Sequence, residues 1–280
     1  AKHTEIIRPL KNGVISDYEI TEKMLTEFLK RIRKDKVQSA RVIICVPSGV
    51  TQVERRAVVE VVKDAGAKEV YLMEEPVAAA IGAGIDLFQP KGHLIVDIGG
   101  GTTEIAFIVS GGAAVSKSVK IAGDHLNEDI MEYVKEKHNL LIGEKTAEDL
   151  KVNTISMPDK NAAFEIRGRE LGVGLPKSIK IVAQEIDSAI DKNIDLIIDE
   201  IKLTMEEIEP EVAADIYETG IYLSGGGAGI RILKEKIEKQ LKLKVTVSDD
   251  AIHAVVNGIA VVLDDFDRYK NIIISPTMEY

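Results

Sequence analysis

The chain has 280 residues, room for one large domain or two ordinary ones, and its 45% hydrophobic and 29% charged content excludes wholesale disorder. With 46 acidic against 36 basic side chains and a net charge of −10, it lacks the basic surface that a nucleic-acid partner needs, and anionic lipid repels it on average. The single Cys45 excludes an internal disulfide and a thiolate zinc site, and with no apolar run of ~20 residues and no signal-peptide core, a soluble cytoplasmic protein is expected.

Thr21 is the expected cap of a helix whose apolar positions Met24, Leu25, Phe28, Leu29 and Ile32 follow the helical period. It runs into a basic stretch, Lys30 to Lys36, expected as a solvated helix end and loop. Arg41 to Pro47 is continuously apolar after its first residue, the pattern of a strand buried on both faces. Ser48-Gly49-Val50 turns into a helix that Gly66 closes, and 69–73 is a second strand. Pro76 opens an Ala-rich helix at its first turn. Residues 93–97 form a third strand leading into Gly99-Gly100-Gly101, and 103–109 with 113–121 read as a hairpin around Gly111-Gly112. Beyond Gly123, helices are expected over 124–138 and 146–153. A strand pair (162–169, 177–182) then turns at Gly172 to Gly174, and a long helix covers 184–207. A buried strand, 220–224, enters a second triplet, Gly225-Gly226-Gly227, ahead of a helix. A Lys-rich strand at 242–247 and an apolar helix at 251–264 close the fold. The alternation predicts an α/β sheet with helices on both faces, and without a Pro-, Gly- or Ser-rich linker the domains interleave.

The strand ending Asp97-Ile-Gly-Gly-Gly-Thr-Thr103 suits a phosphate ligand, because glycines let backbone N–H groups approach it closely. Asp97 can hold magnesium through water, and the hydroxyls of Thr102 and Thr103 can bond phosphate oxygens or an attacking water. The alternative is a glycine-rich lead-in to the hairpin, with Asp97 a turn residue. The second triplet also precedes a helix N-terminus, which favours anions. Neither loop has the GxxxxGK[ST] of a P-loop or the GxGxxG of a dinucleotide site.

Were a bound phosphate to be hydrolysed, the reaction would need an oriented water, and two carboxylates compete for that role. Glu54 lies three residues after Thr51, and a capping box accounts for it fully. Glu75 precedes Pro76 at a strand end, where α/β sheets place their chemistry, and is the choice; charge compensation at a helix start is its alternative. Glu74 points the other way and is structural. His3, His93, His125, His138 and His253 show no ligand spacing.

Five runs resemble, in order and over nearly the whole chain, the MreB family of bacterial actin homologues. They are Val46-Pro-Ser-Gly-Val-Thr-Gln-Val-Glu-Arg-Arg-Ala57, Glu74-Glu-Pro-Val-Ala-Ala-Ala-Ile-Gly82, Asp97-Ile-Gly-Gly-Gly-Thr-Thr-Glu104, Ile166-Arg-Gly-Arg169 and Gly174-Leu-Pro-Lys177. The resemblance implies an α/β, actin-like (ribonuclease H-like) ATPase fold, two similar halves around a nucleotide cleft. Residues 1–86 with 256–280 would form the first half, 87–122 with 190–255 the second-half core, and 123–189 its small subdomain. ATP or ADP and Mg2+ are the implied cofactors. Gly99, Gly100, Gly101, Thr102 and Thr103 resemble the second phosphate loop, with Asp97 holding magnesium through water. Gly225, Gly226 and Gly227 resemble the glycine site near the α-phosphate and adenosine. Glu148 and Lys151, three apart on one helix face, match the pair that holds the adenosine, a surface ion pair being the alternative. Gly123, with Asp124, matches the nucleotide's edge. Glu75 matches the water-orienting acid and Thr102 the threonine that assists it. The family opens with a strand and an Asp-x-Gly-Thr-type loop; residues 1–40 show no such form, Lys11-Asn-Gly13 being only a turn, so that stretch is expected ahead of Ala1.

The implied function is slow ATP hydrolysis coupled to polymerisation into paired protofilaments that set bacterial cell shape. The implied partners are the chain itself, the inner membrane surface and membrane morphogenesis proteins; the location is cytoplasmic, peripheral at the inner face of the cell membrane. A chaperone-type ATPase would carry a substrate-binding domain after the ATPase core, and a metabolite kinase an insert with an Asp base. A non-hydrolysing scaffold is the alternative that the unmatched first-half loop keeps open. The apolar tail Asn271 to Pro276, which follows Arg268 and Lys270, is expected to pack on the first half, and Leu87-Phe88 to cover a helix end, with insertion into a membrane the alternative for both.

Overall fold

The computed structural model describes residues 7–32, 41–154 and 157–274. His3, the basic residues 33–36 and the last two residues of the 271–276 tail lie outside them. A small hairpin, β1 (Leu10–Lys11) and β2 (Val14–Ile15), precedes α1 (Tyr18–Ile32), β3 (Arg41–Val46), α2 (Gln52–Asp64), β4 (Glu69–Glu74) and α3 (Glu75–Gly82). Then come β5 (His93–Ile98), β6 (Thr103–Val109), β7 (Gly112–Val119), α4 (Gly123–His138), β8 (Leu140–Leu141) and α5 (Glu144–Thr154). The strands β9 (Ala163–Glu170) and β10 (Pro176–Val182) lead to α6 (Ala183–Glu206), α7 (Pro210–Thr219) and β11 (Ile221–Ser224). The last elements are α8 (Arg231–Leu241), β12 (Val245–Val247), α9 (Ala254–Asp264) and α10 (Phe266–Tyr269).

Local chemistry sets most of these boundaries. At α2 the Thr51 hydroxyl accepts from Glu54 N–H (3.2 Å) while the Glu54 carboxylate accepts from Thr51 N–H (2.8 Å), so Glu54 is committed to the capping box. The cap of α1 is not Thr21 but Asp17, whose carboxylate accepts from Ile20 N–H (3.0 Å). Thr21 lies buried in the first turn and donates back to Asp17 O (2.6 Å). The long helix α6 buries Ile186, Ile190, Ile194, Ile197, Ile198 and Ile201, a stripe at helical spacing. Helix α7, absent from the sequence expectation, starts on Pro210, where the missing N–H costs nothing.

Among the described residues the larger sheet has the order β12-β11-β5-β6-β7, with β12, β11 and β5 parallel and β6 and β7 antiparallel. Strands β10, β9 and β8 form an antiparallel sheet beside it, and β3 pairs with β4 in a parallel two-stranded sheet. Strand β3 is not buried on both faces as expected: Ile43 and Val46 are buried, while Val42, Ile44 and Cys45 are half-buried. Its only strand partner among the described residues is β4, and Ile274 instead closes the far edge of β4, bridging Leu72 in both directions (3.1 and 2.8 Å). The tail thus packs as expected as far as Ile274. Leu87 is buried, and Phe88 stacks on Tyr269 with the Arg268 guanidinium over its ring. No helix among the described residues is long and apolar enough to cross a membrane.

Helix α3 joins the β3–β4 sheet to the larger sheet. Val77 to Ile81 pack with Met73 of β4 on one side and with Ile95, Ala106 and Ile108 of the larger sheet on the other. Its crossing with α9 is backbone on backbone. A Cβ at Gly82 would sit 1.8 Å from Ala254 O, and one at Gly258 would sit 1.9 Å from Ala78 O. Each glycine is therefore the notch into which the other helix fits. Gly258→Ala is expected to lose about 2–3 kcal/mol of stability through overpacking, despite alanine's better helix propensity. Urea unfolding measures it; an unchanged midpoint would mean that the helices can part freely.

Candidate functional site

The two glycine loops meet because their strands are parallel neighbours. In the β5–β11 pair Asp97 lies opposite Ser224, so both strands deliver their glycines at the same C-terminal edge. Gly225 has φ +78°, and a Cβ there would fall 2.3 Å from Ile98 O; one on Gly227 would fall 2.3 Å from Ile98 Cγ2. The second loop therefore lies directly on the residue that precedes the first. The first loop is closed by Gly99 N–H donating to Thr102 O (2.9 Å), and α4 is seated on it through Gly123 N–H to Gly99 O (3.1 Å) and Asp124 N–H to Gly100 O (2.8 Å).

These loops border a cleft of about 1240 Å³, lined by Gly99, Gly100, Gly123, Gly226 and Gly227 and by Asn127, Glu148 and Lys151. Helix α5 puts Glu148 and Lys151 on one face. Lys151, largely buried, donates to Glu148 (2.7 Å) and to Gly123 O (2.8 Å). Burial alone would raise the Glu148 carboxyl, but Lys151 and Asn127 outweigh it and hold it below its ordinary value. Asn127, 2% exposed, donates its amide to the same carboxylate (2.8 Å). A carboxylate can only accept, so the amide nitrogen faces Glu148, and the Asn127 carbonyl oxygen is left buried without a partner. Arg8 reaches the cleft from the N-terminal segment and contacts Glu144 and Asp124 (3.8 Å). Side-chain-free loops, a buried lysine paired with a half-exposed carboxylate and an orphaned acceptor in one cavity suit a nucleoside phosphate.

A group of buried acids lies beyond the loops. Asp97, 5% exposed, accepts from the Ser224 hydroxyl (2.6 Å), and burial raises its carboxyl against that bond. Glu104, wholly buried, accepts from Ser48 N–H (2.8 Å) and from the Ser118 hydroxyl (2.6 Å); burial raises it too, and these donors oppose the rise. Glu75 at the start of α3 is pushed up to about 8 by burial, then by the charges of Glu104 and Asp97. Burial, then Glu75 and Asp97, also raise the Cys45 thiol, keeping it protonated. Among the described residues no three His, Cys, Asp or Glu side chains form a metal cage. Magnesium keeps most of its water and takes one or two carboxylates, a demand that the buried acceptor Asp97 fits.

The structure thus brings Gly99, Gly100, Gly123, Glu148, Lys151, Gly226 and Gly227 to one cleft; Asp97 and Glu75 do not line it, Asp97 lying at the strand end two residues before Gly99 and Glu75 lying near Asp97 and Glu104. Gly101 and Thr102 are packed instead against the β1–β2 turn: a Cβ on Gly101 would lie 3.0 Å from Asn12 Cα, and one on Gly13 would lie 3.4 Å from Thr102 Cγ2. The Thr103 hydroxyl is committed to Ile121 O (2.6 Å), so that side chain serves the hairpin. Gly225 works as the notch over Ile98. Glu74 pairs with Arg55 (3.9 Å), a structural use. Of the histidines, His138 bonds Glu185 (2.7 Å) and His253 bonds Asp250 (2.8 Å), each apart from the cleft. Asn127 and Arg8 were not singled out from the sequence; an amide one turn into the helix after Gly123 was the only available sign of the former.

A family model described as MreB/Mbl protein matches residues 1–271. The chain is 42% identical over 265 residues to the cell shape-determining protein Mbl of Bacillus subtilis (strain 168), covering 94% of this chain and 80% of that protein. It is 42% identical over 267 residues to the cell shape-determining protein MreB of Escherichia coli (strain K12), covering 94% and 77%. Among solved structures, MreB5 of Spiroplasma citri bound to ADP superposes with a TM-score of 0.90 at 37% identity, covering 95% of this chain and 81% of that one.

The acid group predicts a pH-dependent strain. A carboxyl whose folded value is about 8 holds its proton in the folded state while the unfolded chain releases it near 4.5. Its contribution is complete below the unfolded value and is lost as pH rises toward 8. Glu75→Gln, which carries no proton to lose, is expected to melt roughly 2–6 °C above the parent at pH 8.5 and close to it at pH 5. Calorimetry at the two pH values decides it; an equal difference at both would place the strain elsewhere.

Proposed function

Because the chain belongs to the MreB/Mbl family of cell-shape-determining, actin-like proteins, we propose that it binds ATP in this cleft, hydrolyses it slowly and polymerises into membrane-associated filaments. The observation that carries the reading is the register of β5 and β11, which sets two glycine loops over one cleft, with the buried Asp97 on the strand that feeds the first loop. The related MreB5 is solved with ADP and with AMPPNP. In this reading 1–86 with 256–280, 87–122 with 190–255, and 123–189 are the first half, the second-half core and its small subdomain.

Each group has a role that its surroundings support. Lys151, Glu148 and Asn127 bind the nucleoside end, the carboxylate and the orphaned amide oxygen accepting from hydroxyls. Backbone N–H groups of Gly100, Gly226 and Gly227 face the phosphates, Gly99 and Gly225 shape the two loops because their own N–H groups are spent on Thr102 O and Ala251 O, and Gly123 lies at the edge. Gly101, Thr102 and Thr103 support the first loop from behind, with the Thr102 hydroxyl the group assigned to the attacking water. Asp97 would hold magnesium through water, and the ion when bound supplies charge neutralisation on the phosphate oxygens. Glu75 orients the water and takes its proton. Self-association, the inner membrane surface and membrane morphogenesis proteins are the partners that the reading adds, and family membership supports them.

Phosphate release and sedimentation, each with and without ATP, test the reading together. ATP-dependent pelleting with slow phosphate release is expected; neither would overturn it. Glu75→Ala is expected to keep nucleotide binding while phosphate release falls ~10²–10⁴-fold. Lys151→Ala is expected to do the reverse, weakening binding about tenfold or more by stranding Glu148 and opening Gly123, as a nucleotide titration would read.

A further inference from the structure

Glu104 sits in a line of four polar side chains that crosses the larger sheet. Ser224 pairs with Asp97, Asp97 with Glu104, and Glu104 with Ser118. Directly opposed residues share one face of a sheet, so the two carboxylates stand side by side with a serine hydroxyl bonded at each outer flank (2.6 Å each). One oxygen of Glu104 is thereby spent on Ser118. The other leaves the larger sheet altogether and accepts from Ser48 N–H, just past the end of β3 (2.8 Å). A wholly buried carboxylate directly beside a second one is costly, and an apolar residue would fill its volume without that cost.

The bond to Ser48 joins the two parts of the site. On the small-sheet side, β3 and β4 run in parallel register with Val46 opposite Glu74, so the segment carrying Ser48 moves with Glu75. On the large-sheet side, Glu104 is two residues from Thr102 on the same chain run. Around the bond the surfaces interlock: a Cβ on Gly13 would come 2.5 Å from Pro47 Cγ, and Gly101 abuts Asn12. The hydroxyls of Ser48 and Thr102 also approach this carboxylate, but the Ser48 backbone N–H makes the well-formed bond that holds the turn.

We propose that Glu104 is a positioning residue for hydrolysis: its carboxylate ties the Pro47-Ser48 turn to the sheet edge and so fixes Glu75 against the Thr102 loop, without touching the nucleotide. The inference rests on the ATP-hydrolysing reading above and adds a residue to it. Nucleotide affinity, made by α5, α4 and the glycine loops, does not run through this bond, whereas the geometry of the attacking water does.

Three variants test it in one preparation, each read by ATP affinity, phosphate release and amide hydrogen exchange at Ser48. Glu104→Leu keeps the volume and removes both acceptors. It is expected to lower the turnover number about 10–100-fold with ATP affinity within about threefold, a misplacement cost rather than a binding cost, and to speed exchange at Ser48. Glu104→Gln still offers an oxygen to Ser48 and can donate to the Ser118 hydroxyl, so it should rescue turnover and protection together. Should Glu104→Leu not fold, Glu104→Asp makes the same test, since its shorter stem keeps Ser118 but falls short of Ser48. Parental turnover in Glu104→Leu or Glu104→Asp, or affinity falling in step with turnover, overturns the inference alone. Absence of hydrolysis in the parent overturns the function reading, and this inference with it.

Discussion

The cleft depends on one constraint, the parallel register that sets Asp97 of β5 opposite Ser224 of β11. Side chains alternate along a strand, so a slip of one residue would turn Asp97 to the opposite face and part the two glycine loops. The register is held from several directions at once. Gly225 and Gly227 press on Ile98 in a way that no side chain permits, and Gly225 N–H reaches Ala251 O (2.8 Å) beyond the loop. Helix α4 then takes its position from the carbonyls of Gly99 and Gly100, and with α4 come Gly123 and Asn127. Lys151 reaches back to Gly123 O and closes the circle from α5. A local pairing thus propagates into the placement of groups drawn from four separate elements.

Around this frame, apolar burial and buried charge pull in opposite directions. The apolar layers, with α3 lodged between two sheets and the isoleucine stripe of α6 beneath the larger one, favour the fold strongly. The acids Glu75, Asp97 and Glu104 oppose it, each raised above its ordinary value by the burial that the layers impose. Serine donors offset part of that cost at Asp97 and Glu104. Such a concentration of unfavourable charge where two layers meet is the mark of a site rather than of a core.

Local features were legible in the sequence and remote ones were not. The capping box at Thr51, the proline starting α3, the hairpin at Gly111-Gly112 and both glycine loops each follow from a few neighbouring residues. The start of α1 was misplaced because Asp17 and Thr21 are both good caps one turn apart, and the chain uses the earlier one. Strand β3 shows an apolar run whether it lies in mid-sheet or at an edge, so its half-exposure could not be foreseen. Helix α7 was hidden because Pro210 reads as easily as the end of a helix as the start of one. Glu104 and Asn127 gain their surroundings from Ser48, Ser118 and Glu148, partners that no motif names. Thr103 was legible as the start of the hairpin, and its hydroxyl bonds Ile121 O there.

The glycine crossing of α3 with α9 and the bridge from Leu72 to Ile274 share a property beyond their packing. Both join an early stretch of the chain to a very late one. A ribosome releases β4 and α3 long before their partners are made, so the sheet edge at Leu72 and the alanine-rich face of α3 stay uncovered for most of synthesis. The larger sheet faces a similar wait, since β11 and β12 must insert beside a β5 made far earlier. Long-range closure of this kind makes folding slow and leaves sticky surface exposed meanwhile. The nascent chain therefore keeps apolar surface and an open sheet edge uncovered until its last elements are made.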